Sequence, residues 1–266
     1  MVDPGVIESG SHRYPWRVVF LLAACSVAVH PLSYPFIAAL ENALTGVPLP
    51  PLTWRVLLSG MAFVALMDLT AAAGGLYAAK RIGLAVPLLQ AKVYGERTNA
   101  SLRSILVPAI SIAVGLTLLV IGIEEFLFHR ALGVLEPAYE IHSRLSGVPA
   151  WAGVLASFEG GIGEEIVFRL FLLSGLGWLI TTIVRRRDGV LTPAAFWTAN
   201  AISTLVFGLY HLTGAEAPII MLRTLVDILP FGMAFGYLYR KHGLEAAMVS
   251  HFTVDILVHG IRPLFG

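Results

Sequence analysis

Apolar residues fall in long unbroken runs, near 17–40, 54–79, 102–123, 152–183, 192–213, 217–239 and 244–262, with polar residues gathered between them. Each run approaches the roughly 20 helical residues needed to cross a hydrocarbon core about 30 Å thick. In lipid a helix satisfies all its backbone polar groups within one segment. The pattern therefore predicts an all-α fold, a polytopic transmembrane bundle of about seven spans. The first run follows His12, Arg13 and Arg17 as a signal peptide would, but it is long and holds His30, Pro31 and Pro35. It reads as a retained, kinked helix rather than a cleaved leader. No internal repeat or low-complexity segment stands out, so residues 1–266 read as one integral membrane domain.

Composition agrees: hydrophobic residues make up 57% and charged residues 13%, and the mean hydropathy is +0.79. Soluble domains carry roughly 25% charged residues. The deficit marks a multi-pass protein whose surface faces lipid, in the plasma membrane if the source is prokaryotic. A net charge of +1 gives no reason to expect a nucleic-acid partner. The single cysteine, Cys25, excludes an internal disulfide and a CxxC metal or redox site.

The connections alternate in charge. Basic residues cluster at Arg13 and Arg17, from Lys80 to Arg103, at Arg185, Arg186 and Arg187, and at Arg240 and Lys241; the intervening connections hold Glu41, Glu124, Glu125, Glu136, Glu140 and Glu216. By the positive-inside rule this predicts a cytoplasmic N-terminus, cytoplasmic loops after the second, fourth and sixth spans, and an external C-terminus.

Three short polar motifs interrupt the apolar second half: Glu164-Glu165-x-x-x-Arg169, Phe207-x-x-x-His211 and His251-x-x-x-Asp255. A charged group at the bilayer centre costs roughly 3 kcal/mol even on lenient scales, so such a concentration is by default functional. Glu165 and Arg169 stand four apart and are placed to form an ion pair. Glu164 points elsewhere on the helix without a local partner, the situation of a general base. Gly160, Gly161 and Gly163 strip side chains from the approach, for close helix packing or for a substrate backbone. His251 and Asp255, also four apart, can address one ligand together. Asn200, Ser203 and Thr204 form a polar seam ahead of His211.

In this order, on successive spans, the motifs resemble those of the CPBP intramembrane proteases, the CAAX-processing and bacteriocin-processing family that includes the CAAX prenyl endopeptidases. The resemblance covers a core of residues 150–262. It implies an endopeptidase acting on a membrane-associated or prenylated, CAAX-type protein or peptide. It makes Glu164 the water-activating base, His211 its partner in positioning that water, Glu165 and Arg169 a supporting pair, and His251 with residue 255 the holder of the substrate carbonyl. The family commonly has asparagine where this chain has Asp255. An ionised aspartate cannot donate to an oxyanion, so Asp255 is expected to orient His251 or to be protonated.

Two alternatives stay open. His211, His251 and Asp255 have the composition of a zinc site, which would make the enzyme a metalloprotease using Zn2+; the glutamate reading requires no cofactor. Some relatives are thought to act as non-catalytic membrane scaffolds or bacteriocin self-immunity proteins. A proton-coupled carrier would also use intramembrane acids and histidines, but no repeat relates the two halves. Outside the motifs, Glu124 and Glu125 ahead of Arg130 read as a solvated span end, Arg223 and Asp227 as an internal pair, and Asp68 has no explanation from sequence. Family members that trim prenylated proteins work from the cytosolic side, whereas the charge alternation opens this site toward the outer half of the membrane.

Overall fold

The computed structural model describes residues 14–126, 147–184, 191–212 and 218–265, and among them all regular structure is helical. Eight helices follow in order: α1 Trp16–Thr45, α2 Trp54–Ile82, α3 Pro87–Tyr94, α4 Leu102–Ile123, α5 Ala150–Ile183, α6 Pro193–Tyr210, α7 Pro218–His242 and α8 Leu244–Ile261, with a 3₁₀ turn at Arg262–Phe265. Seven of them coincide with the seven apolar runs; the short α3 was not anticipated. Arg130, Glu136, Glu140, Glu216 and Arg185, Arg186 and Arg187 lie outside the described residues.

Five helices, α1, α2, α4, α5 and α8, are long and apolar enough to cross a membrane, and the protein is an integral, multi-pass membrane protein. α6 falls short because it carries the polar seam. Asn200, Ser203 and Thr204 are buried, facing protein rather than lipid, so α6 need not be apolar all round. Large apolar side chains on the other helices, such as Phe20, Phe63, Leu66 and Leu118, point outward, as a lipid-facing surface requires.

Local chemistry sets the ends. Thr53 and Thr192 cap α2 and α6 by accepting from Val56 N–H and Ala195 N–H, and Ser101 with Ser104 forms a reciprocal cap on α4. Between α7 and α8 a single residue, Gly243, makes the whole turn at φ 91°. That value lies in the left-handed region open chiefly to glycine. α1 runs through Pro31 and Pro35 as one 30-residue helix.

The core forms where α1, α2, α5, α7 and α8 meet, with Val18, Leu76, Ile166, Leu170, Phe235 and Val254 all buried in it. Small residues set the spacing. A Cβ at Gly75 would lie 2.6 Å from the Leu170 carbonyl oxygen, bringing α2 against α5. Gly236 leaves room for the Asn200 side chain and Gly232 for that of Thr204, which brings α6 against α7. Gly153 lies against the His259 backbone, joining α5 to α8.

One end of the bundle is laced shut. Arg17 N–H donates to the Tyr94 hydroxyl at 3.1 Å, Leu244 N–H to the Ala85 carbonyl at 3.2 Å, and Leu89 N–H to Glu245 Oε1 at 2.9 Å. These bonds tie the starts of α1 and α8 to α3. The other end is hollow.

Candidate active site

The middle of α5, Gly160–Leu173, is wound as a π-helix, with Ser174 N–H reaching back five residues to the Arg169 carbonyl. Such wide turns are rare and gather at functional sites. Their cost is met partly from α6: Ser203 Oγ donates to the Phe168 carbonyl at 2.6 Å. Gly160 and Gly161 let α8 approach. A Cβ on Gly161 would sit 3.1 Å from the Met248 carbonyl, and one on Gly160 would strike Asp255 Oδ2.

This stretch positions the first motif. Glu165 is fully buried and forms the expected ion pair, Oε1 lying 3.1 Å from Arg169 Nη1. Arg169 is held further by its Nη2 bond to the Gly232 carbonyl at 3.3 Å and by the faces of Phe207 and Phe235, 4.3 and 5.1 Å from the guanidinium carbon. Glu165 also has a partner that spacing along one helix could not reveal: His251 Nδ1 lies 2.8 Å from the same Oε1. The ring is clamped on its face by Phe235, whose centroid is 4.7 Å away. Its other nitrogen, Nε2, lies 3.7 Å from Glu164 Oε2 and 3.6 Å from Asp255 Oδ1. Both are too long for a direct hydrogen bond. The carboxylate within hydrogen-bond distance of His251 is therefore that of Glu165, with Asp255 beside the other ring nitrogen.

His211 ends α6. Its Nδ1 lies 2.8 Å from the Phe207 carbonyl; a carbonyl only accepts, so Nδ1 donates and a neutral ring keeps its Nε2 lone pair free. The first and fifth positions of this motif thus act together: Phe207 fixes the tautomer through its backbone and packs its ring against Arg169, His211 and His251.

Glu164, His211, His251 and Asp255 line one cavity of about 650 Å³. A dry interior has few voids larger than a water molecule, so a space this size holds solvent or a peptide segment. Two further groups in its wall escaped the sequence reading, Glu159 and His259. Five residues separate Glu159 from Glu164, a spacing that diverges on an ordinary helix but returns to one face when the winding is i to i+5. Glu159 Oε1 stands 4.0 Å from His30 Nδ1 of α1. His259 continues the ladder His251, Asp255 at the same spacing of four and packs against Phe36. The periodicity of four was visible in sequence; the π-winding was not.

Three other expectations meet the structure. Glu124 is not a solvated span end. It is buried at the cavity rim and pairs with Arg262 Nη2 at 2.6 Å, a contact between residues too far apart in sequence for spacing to show. Asp68 accepts from Ser26 Oγ of α1, directly behind Gly163. Asp227 lines the cavity, while the side chain of Arg223 lies outside the described residues. Among the described residues no three histidine, cysteine, aspartate or glutamate side chains converge as metal ligands. His211, His251 and Asp255 thus share a cavity without forming a zinc site, and the metalloprotease alternative finds no support in their geometry.

Residues 146–257 match the family model described as Type II CAAX prenyl endopeptidase, Rce1-like, in agreement with the resemblance carried by the three motifs. No curated protein and no solved structure matches the chain.

Proposed function

Because residues 146–257 match the Rce1-like CAAX prenyl endopeptidase family, we propose that this protein is an intramembrane endopeptidase that hydrolyses a peptide bond in a membrane-associated substrate, with Glu164 as the general base. What supports it above all is the meeting of Glu164, His211, His251 and Asp255, from three separate helices, on one cavity.

Glu164 Oε2 and His251 Nε2, 3.7 Å apart, are spaced to touch one water between them. Glu164 takes a proton from that water as its oxygen attacks the scissile carbonyl, and passes the proton to the leaving amine. The free Nε2 of His211 holds the water from the α6 side. His251 acts as the imidazolium: Nδ1–H donates to Glu165 and Nε2–H donates to the carbonyl oxygen on which charge develops. Asp255 is an acceptor when ionised, so it serves the His251 side of the site and not the oxyanion directly. No cofactor takes part in these steps.

The test uses purified full-length protein in lipid nanodiscs with a panel of fluorogenic membrane peptides, prenylated and unprenylated. Glu164→Gln and His211→Ala should each abolish cleavage while thermal unfolding stays that of the parent. Cleavage surviving in either variant would refute the assignment. A protein that cleaves nothing, yet whose motif variants rescue a deletion strain as well as the parent, is a scaffold instead.

A further inference from the structure

The cavity and the basic residues occupy opposite ends of the bundle. Five of the helices that line the cavity do so with the half nearer the same rim, α1 from Ser33, α4 from Thr117, α6 from Phe207, α8 from His251 and α5 up to Glu164, while α7 lines it with its middle, Asp227 to Phe235. The neighbours in this up-and-down arrangement run antiparallel, so these segments share one level of the membrane. At the opposite, laced end lie Arg17, Lys80, Arg81, Lys92, Arg97, Arg103, Arg240 and Lys241. Among the described side chains only Arg55 and Arg262 fall at the hollow end, and Arg262 is paired with Glu124. By place in sequence alone, Arg185, Arg186 and Arg187 follow the end of α5, and Arg130 and Arg144 fall in the connection between α4 and α5, so the basic excess still lies with the laced end. Lysine and arginine close to span ends are what orients a multi-pass chain, and they are retained in the cytoplasm.

We infer that the cavity opens to the non-cytoplasmic side of the membrane, and that its substrate is a polypeptide whose scissile bond has already been carried across the bilayer. Granted the hydrolytic site proposed above, this removes cytosolic prenylated C-termini from its substrates. The class left is a membrane-tethered or secreted precursor met from the outside. The physical reason is access. A cytosolic chain would have to pass the closed end, where α3 and the starts of α1 and α8 are joined by hydrogen bonds, to reach Glu164. A translocated chain meets an open rim lined by Phe36, Ile37 and Leu40 of α1, apolar side chains suited to a segment leaving lipid.

Single-cysteine variants read the orientation without requiring activity. In a Cys25→Ser background, Val47→Cys marks the connection at the hollow end, Ile37→Cys the cavity wall, and Asn99→Cys the connection at the basic end. Sealed right-side-out vesicles are treated with a membrane-impermeant maleimide. Val47→Cys and Ile37→Cys should be labelled at once and Asn99→Cys only after permeabilisation. Labelling of Asn99→Cys in sealed vesicles, or of the other two only after permeabilisation, would overturn the inference. A peptide cleaved by the nanodisc protein is then added outside the same vesicles, where it should be cut without permeabilisation. Loss of cleavage in every format with the labelling pattern intact would sink the hydrolase and leave the orientation standing.

Discussion

His251 Nδ1 and Arg169 Nη1 share a single oxygen of Glu165, at 2.8 and 3.1 Å. One buried carboxylate thus joins α5 to α8 and neutralises a guanidinium enclosed by aromatic rings. Removing one partner of a buried pair strands the other, at about 3–5 kcal/mol. Glu165→Gln should therefore lower the unfolding temperature of the purified protein markedly, whereas Glu164→Gln, at the cavity surface, should leave it nearly unchanged while abolishing turnover. Equal stability in the two variants would show that Glu165 is not the structural carboxylate.

Glu159 lines the cavity and stands 4.0 Å from His30 of α1. If the π-winding sets Glu159 above Glu164, removing its carboxylate changes how the site handles a proton without disturbing the core. Glu159→Gln should lower kcat by about tenfold or more with KM and thermal stability kept, and Glu159→Asp should restore part of it. A change in KM alone would make Glu159 a substrate contact.

Gly160→Ala brings a methyl group onto Asp255 Oδ2. Overpacking of this kind costs about 1–3 kcal/mol, and here it also pushes a site residue. Combining it with Asp255→Ala removes the clash, so the pair should be more stable than additivity allows. Thermal unfolding of the four forms checks it; strictly additive shifts would place the glycine's role elsewhere.

Among the described residues no donors converge on a zinc position in this cavity. Exhaustive treatment with a chelator should leave cleavage of the best peptide substrate unchanged, and elemental analysis should find no stoichiometric metal. Loss of activity restored by zinc alone would replace the glutamate mechanism.

Much of the architecture was legible from hydropathy alone, since each of the seven runs folds as a helix with an apolar lipid face. The pair Glu165 and Arg169 was legible as well, because both residues sit within one turn of one helix. What sequence spacing could not carry was contact between helices: Glu165 with His251, Glu124 with Arg262, Ser26 with Asp68. Glu159 was missed for a different reason. Its relation to Glu164 depends on an unusual winding that glycine-rich sequence permits but does not announce. Asp255, expected to orient His251 or to be protonated, lies 3.6 Å from its Nε2, and the carboxylate bonded to Nδ1 was hidden because it comes from another helix.

The contrast between a stitched heel and an empty rim also bears on how the molecule breathes. Local opening costs least where packed contacts are few, and here that is the end at which a polypeptide would have to enter. The rim can part and close while the heel keeps register, so admission of a guest need not loosen the clamp on His251.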